Sequence, residues 1–298
     1  SNNESTWWCQ GVMLFLLKRY EKALASFNKA IELNPNNQST WLSRGFVLRL
    51  LQLNEEALTS LDKAIELNSN DGKAWFVRGM VLKQLERYEE ALESLNKAIE
   101  LDPNYGSAWF LRGLVLSEIQ RHEKALTSFD KAIALDDRSP ALFFNRAETL
   151  LALNRWEEGM TALEEALDRL TQTNAPDSCD TETVIRHLLN STNDAATWKT
   201  RIANLVEIYD KYKLAASVGQ GIVRCVPALM SDMISDAAAR RWLELWQETT
   251  SDRRDFQVPL RVLAVAVRYK ETKGDRRVLL ELPIEERKLL EPLVEGSS

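Results

Sequence analysis

Cysteine is scarce in this chain, three in 298 residues, at Cys9, Cys179 and Cys225. Spacings that wide exclude a disulfide framework and a cysteine-based metal site, and a reducing, cytoplasmic compartment is expected. Glycine and proline are also few, eleven and eight, as expected of a mostly helical chain. No apolar run reaches the roughly 18 residues that span a bilayer, so no membrane partner is expected. Gly11–Leu17 (GVMLFLL) has the composition of a signal-peptide core, but it falls in a repeat register and is read as part of that register. Basic excess is missing too. Net charge is −6, and neither the first 173 residues nor the remainder is basic, which disfavours nucleic acid as a partner. There are two histidines. No glycine-rich phosphate loop exists, because Gly219-Gln220-Gly221 lacks a third glycine and any preceding strand. The chain opens on Ser1-Asn2 rather than Met, as expected of a piece of a longer protein.

What is present is a composition 45% hydrophobic and 28% charged, that of a globular protein, and a repeat of 34 residues. Trp7, Trp41, Trp75 and Trp109 form one column, with Phe143 fifth. Gly11, Gly45, Gly79 and Gly113 form a second, with Ala147 fifth, and Ala23, Ala57, Ala91 and Ala125 a third, with Gly159 fifth. Phe27, Leu61, Leu95, Phe129 and Leu163 share a register, as do Ala30, Ala64, Ala98, Ala132 and Ala166. Five columns in one register define an array. Five units follow, at about 4–37, 38–71, 72–105, 106–139 and 140–173. In Gly72–Tyr105, apolar residues from Trp75 to Leu85 cover more than one stripe, so this first helix is expected to be covered on two sides. Tyr88, Ala91, Leu92, Leu95, Ala98 and Ile99 give the second helix a single stripe. Small Gly79 and Ala91 allow close approach, with Trp75 and Leu82 expected to fill the space around them.

These columns resemble the tetratricopeptide repeat, whose pattern is met in unit one by Trp7, Gly11, Leu14, Ala23, Phe27, Ala30 and Pro35. The resemblance covers residues 4–173. It departs in two ways. Where the family has a large aliphatic residue before the glycine, this chain has Gln10, Arg44, Arg78, Arg112 and Arg146, and the fifth unit is degenerate. The Trp-x-x-Arg-Gly form is similar to that of bacterial, particularly cyanobacterial, members. The resemblance implies an all-α fold, an α-solenoid wound as a right-handed superhelix of five helix-turn-helix repeats, followed by a divergent helical region. It also implies a concave groove lined by first helices. The groove positions are Trp8, Leu42, Phe76, Phe110 and Phe144, then Val12, Phe46, Met80, Leu114 and Glu148, then Phe15, Arg49, Lys83, Ser117 and Leu151. Chaperone-binding members hold a carboxylate with Lys and Asn where this chain has Trp8 and Val12, so that clamp is absent.

Residues 174–193 read as a polar joint with a short helix, and 194–298 as divergent helices. Asp194 is expected to cap a helix over 195–213, followed by segments over 214–226, 237–249 and 257–272, and by a last helix opened by Pro283. Val262–Val267 alone would suit a buried strand; the flanking helix-period residues favour a helix. Arg253–Arg277 is rich in basic residues, but no aromatic interleaving marks a nucleic-acid site. His122 stands where other units have Tyr20, Tyr88 and Trp156, a packing substitution. Cys225 and His187 could be imagined as a nucleophile and base, but such a pair needs supporting groups that the sequence does not show. No cofactor, metal or catalytic activity is expected.

The reading that follows is a non-catalytic scaffold holding an apolar or amphipathic protein segment in the groove, at Trp8, Val12, Phe15, Leu42, Phe46, Arg49, Phe76, Met80, Lys83, Phe110, Leu114 and Phe144. Two alternatives stay open. One is a self-associating block whose groove is filled by its own C-terminal helices, such as 283–294. The other is the sensing arm of a larger signalling enzyme.

Overall fold

The structure, a computed structural model, describes residues 3–135, 139–173, 181–190, 194–230 and 234–295. The joint expected at 174–193 falls partly outside them. The described residues are all-α, and the chain divides into two units, Ser1–Arg138 and Ser139–Ser298.

The first unit holds four helix pairs: α1 (Glu4–Leu16) with α2 (Tyr20–Leu33), α3 (Gln38–Leu50) with α4 (Asn54–Leu67), α5 (Gly72–Gln84) with α6 (Tyr88–Leu101), and α7 (Gly106–Glu118) with α8 (His122–Ala134). Polar residues start three of the first helices. Asn3, Asn37 and Asp71 accept from the amides of Thr6, Thr40 and Lys73 at 2.9, 3.3 and 2.9 Å, relieving helix ends of orphan donors. Each first helix ends in a left-handed residue, Lys18, Gln52, Glu86 or Gln120. After it the next amide reaches five residues back, as from Arg87 to the Leu82 carbonyl at 2.9 Å, closing the helix in a Schellman-type turn. Three of the second helices end in an Asx turn, with the amides of Asn36, Asn70 and Asn104 donating to Asn34, Asn68 and Asp102 at 3.2, 3.1 and 3.0 Å.

The pair contact is made at the small columns. A Cβ built on Gly79 would stand 2.8 Å from Leu95 Cγ and 3.5 Å from the Ala91 carbonyl oxygen; at Gly113 it would meet Phe129 at 2.3 Å. Ala91, Leu95 and Ala98 are fully buried, as are Val81 and Leu82. The tryptophans differ from expectation. Trp75 is only half-buried, and its indole N–H donates to the Ser69 carbonyl at 2.9 Å, as Trp41 does to Pro35 and Trp109 to Pro103. These three tryptophans pin the loops entering their repeats and leave the core to the aliphatic residues and to Phe27 and Phe129.

The arginines before the glycines join successive repeats. Arg78 Nε donates to Asp62 at 2.8 Å on the previous second helix, and its Nη1 to Ser94 at 2.7 Å on its own second helix. Arg44 spans Asn28 and Ser60 in the same way, and Arg112 spans Asn96 and Ser128. Each serine hydroxyl, held this way, donates to the carbonyl four residues back.

In the second unit the fifth pair, α9 (Pro140–Ala152) and α10 (Trp156–Thr173), groups with the C-terminal helices. Its small residues are exchanged: Ala147 sits on α9 and Gly159 on α10, where a Cβ would lie 2.8 Å from Leu151 Cδ2 and 3.4 Å from the Ala147 carbonyl oxygen. The close approach is kept with its two members swapped. Then follow α11 (Thr181–Asn190), α12 (Ala195–Lys211), α13 (Ala215–Arg224), α14 (Val226–Met230), α15 (Asp236–Thr249), α16 (Gln257–Glu271) and α17 (Ile284–Glu295), with 3₁₀ turns at Arg254–Phe256 and Arg276–Glu281. Asp194 caps α12, accepting from the Thr197 amide at 2.8 Å, and Val262–Val267 is helical, within α16. The single segment expected over 214–226 is broken at Cys225, and α14 begins at Val226. Trp242, Trp246 and Phe256 form a buried aromatic cluster, and Tyr209 is buried as well. The repeat turn returns at Lys213 and Lys273, whose following amides reach Tyr209 and Tyr269 five residues back, at 2.8 and 2.9 Å. The face of α17 bearing Leu290 and Val294 is buried, α17 packing on α14 and α16.

Two stability outcomes follow. Gly79→Leu forces a branched side chain into Leu95 and is expected to cost about 1–3 kcal/mol in denaturant unfolding; an unchanged midpoint would refute the close-approach assignment. Glu86 is exposed and left-handed, so Glu86→Gly relieves a strained conformation and is expected to raise stability by about 0.5–1 kcal/mol in the same assay.

Candidate functional site

In the first unit α3, α5 and α7 are covered on two sides, by their own second helix and by the preceding one. The face left over looks into the groove. In the first unit this face forms a cavity of about 430 Å³ lined by Val12, Phe15, Leu42, Ser43, Phe46, Lys73, Phe76 and Tyr105, with Phe27, Val47 and Val77 as its floor. The walls come from α1, α3 and α5 and from the residue that opens α7.

The aromatic side chains touch one another. Phe15 meets Phe46 edge-on at 5.7 Å, and Phe76 lies 4.9 Å from Tyr105. Such contacts hold rings in place beyond simple burial. Tyr105 occupies the position taken by Asn3, Asn37, Asp71 and Ser139 in the other units. As a result α7 starts without a side-chain cap, a loss of about 1 kcal/mol relative to a capped start. Burial raises the Tyr105 phenol above its ordinary pKa, so it stays neutral at physiological pH.

The remaining positions fall in different places. Trp8 packs against the hydrophobic cluster around Phe27 that also holds Val12 and Phe15. The Arg49 guanidinium lies 4.9 Å above the Phe46 ring. Arg49 is half-buried, its pKa lowered by desolvation, and its Nε has no hydrogen-bond partner. Lys73 is exposed at the rim. Met80, Lys83, Phe110 and Leu114 lie outside this cavity: Lys83 approaches Glu118 at 3.5 Å, and Phe110 stands 6.0 Å from Phe129. Phe144 belongs to the second unit and is buried there. Reading the groove positions from the sequence missed Ser43, Lys73 and Tyr105. The aromatic residue in a capping column was the signal for Tyr105; Ser43 and Lys73 carried none.

Hollows in the second unit have another character. One is lined by Gln247, Arg253, Gln257 and Arg261 around Leu260, another by Glu157, Glu164, Glu207 and Lys211. Among the described residues no group of three His, Cys, Asp or Glu could hold a metal, and no helix is long and apolar enough to cross a membrane. Cys225 is buried, its thiol donating to the Glu182 carbonyl at 3.5 Å. His122 Nε2 lies 2.8 Å from Gln120 Oε1.

Comparison with known proteins agrees with this geometry. A tetratricopeptide-repeat family model matches residues 9–37 and 72–105, and a second matches 94–127. No curated protein matches the chain. Among solved structures, residues 41 to the end of MamA from Desulfovibrio magneticus RS-1 are similar at 21% identity and TM-score 0.51, over 60% of this chain and 99% of that one. The pilF protein of Pseudomonas aeruginosa is similar at 15% identity and TM-score 0.54, over 84% of this chain and 97% of that one. At these identities the likeness is one of fold.

The unpaired Arg49 Nε supplies a check on the site. Arg49→Met keeps an apolar stem over Phe46 and exchanges a half-buried, desolvated charge and its ring contact for a thioether. Its melting temperature is expected to equal or exceed that of wild type in calorimetry; a clear fall would mean that Arg49 holds the fold.

Proposed function

We propose that this chain, which matches tetratricopeptide-repeat models over residues 9–37 and 72–127, is a scaffold of the protein-interaction class that acts without catalysis by holding a partner segment in the apolar groove of its first unit. The observation that carries this reading is the open cavity between Phe15, Phe46, Phe76 and Tyr105. Exposed contiguous apolar surface rimmed by polar groups marks an interaction site. The walls belong to helices braced by the pair contacts and arginine bridges described above, so little ordering is required of the scaffold when a partner binds.

A cavity of about 430 Å³ suits one or two large apolar side chains. Burying each contributes about 1.5–3 kcal/mol, part of which is offset by ordering the partner segment. Micromolar binding needs about 8 kcal/mol, so the segment must extend past the cavity. The Arg49 guanidinium, stacked on the Phe46 ring, puts a positive charge beside the cavity, suited to an amphipathic segment that carries a carboxylate. Met80 and Phe110 on α5 and α7 are the next positions along such a path.

The test begins with peptides selected from a displayed library against the wild-type chain, and compares their affinities for variants. Phe46→Ala and Phe76→Ala are each expected to weaken binding about tenfold or more, which corresponds to about 1.4 kcal/mol. Helical circular dichroism should be retained. Equal binding by the double variant would place the site elsewhere.

A further inference from the structure

The two ends of the apolar cavity differ in charge. At one end stands Arg49, in the last turn of α3. Its guanidinium lies 4.9 Å over the Phe46 ring, and Phe46 meets Phe15 edge-on at 5.7 Å. The cation is thus held against a ring that lines the cavity. Arg44, Arg78 and Arg112 are partly buried as well, but each finds two acceptors on the neighbouring second helices. Among the described residues Arg49 has no hydrogen bond and no ion pair. In its register Phe15 and Ser117 are neutral, and Lys83 approaches Glu118 at 3.5 Å. An uncompensated, half-buried positive charge therefore stands at this one place along the groove.

At the other end Tyr105 and Lys73 close the cavity, with two carboxylates beside them. Asp102 shares a turn with Tyr105, its carbonyl accepting from the Tyr105 amide at 3.1 Å. Asp71 accepts from the Gln38 side chain at 2.6 Å and from the Lys73 amide at 2.9 Å. Burial, then Asp71 and Asp102, hold the Tyr105 phenol above its ordinary pKa, so both charges are felt at the ring. Lys73 offsets one of them. Apart from Lys73, the residues lining the cavity carry no charge, and charge interactions across such a surface are less screened than in water.

We propose that this polarity selects the occupant: an apolar partner segment with an acidic side chain at its Arg49 end and a basic side chain at its Tyr105 end. This rests on the groove reading above and adds a direction to it. A segment that enters reversed sets like charges together at both ends, and one with the same sign at both ends does so once. Arg49 is then the residue that determines specificity, while the rings supply the buried area.

The probe is a displayed library of about twelve random residues, long enough at about 40 Å extended to pass the cavity at both ends. Segments selected on the wild-type chain are measured as acetylated, amidated peptides. They are expected to flank large apolar residues with Asp or Glu on one side and Lys or Arg on the other, in a single order. Exchanging the two flanks is expected to weaken binding about tenfold or more. Replacing the acid by Asn or Gln is expected to cost about tenfold against the wild-type chain and no more than about twofold against Arg49→Met, because contacting groups couple. Asp71→Asn with Asp102→Asn installs the residue found in those columns at Asn37 and Asn68, and is expected to abolish the preference for the basic flank. Peptides that lose affinity with Phe46→Ala but ignore Arg49→Met would leave the groove reading standing and overturn the polarity. Binding that requires a free C-terminal carboxylate would also overturn it. Peptides indifferent to Phe46→Ala and Phe76→Ala would remove both.

Discussion

Everything in the first unit depends on how closely the two helices of a pair approach. The glycine of each first helix lies under a Leu or Phe of its second helix, with less room than a Cβ requires. Interiors packed to this density do not absorb an added methyl without movement. That single contact sets which side of the first helix faces inward within the pair. The preceding second helix takes the adjoining side. The residues on the remaining side have no neighbour inside the repeat, and they are the ones that build the cavity. The fifth pair shows that the constraint is on the contact rather than on the residue at one position. Ala147 and Gly159 have traded places between helices, and the large side chain filling the space is now Leu151 of the first helix.

A second layer of interactions fixes one pair on the next. Arg44, Arg78 and Arg112 each reach back to the previous repeat and across to their own second helix, and the indole N–H groups tie the entering loops. Arg44 and Arg112 have their pKa values lowered by desolvation, so the bridges are partly withdrawn from water. Hydrogen bonds to charged groups are stronger than neutral ones there. Their consequence for function is rigidity: cavity walls contributed by three different first helices stay in register only if neighbouring repeats do.

Much of the fold is legible in the sequence because it repeats. Columns such as Gly79 and Ala91 recur at a fixed interval, and the helix limits follow from Asp71 and from the polar ends at Asn34, Asn68 and Asp102. Other features leave no trace in residue identity. The left-handed turn positions are Lys18, Gln52, Glu86, Gln120, Asn154, Lys213 and Lys273; with no glycine among them, the recurrence of the turn after Tyr209 and Tyr269 is invisible until the backbone is seen. The tryptophans illustrate a different limit. Size and regular spacing suggest core, yet an indole N–H favours a place where it can find a carbonyl, and such places lie at the repeat boundary. The cavity itself was half legible. Val12, Phe15, Leu42, Phe46 and Phe76 follow from register, whereas Tyr105 enters from a capping position that belongs to the next repeat.

The groove is therefore not uniform along the array, and the differences locate where stability was given up. Tyr105 replaces a cap residue, leaving α7 uncapped. Arg49 keeps a half-buried donor without a partner, a cost that a Leu or Met in its place would avoid. The left-handed turns, by contrast, recur in every repeat and belong to the scaffold. Tyr105 lines the cavity of the first three repeats, and Arg49 stacks on Phe46, which also lines it. Farther along, the same column turns from Phe15 and Arg49 to Lys83 and Ser117. Tyr105 thus exchanges a cap for a ring set against Phe76, and the cavity gains a wall while α7 starts uncapped.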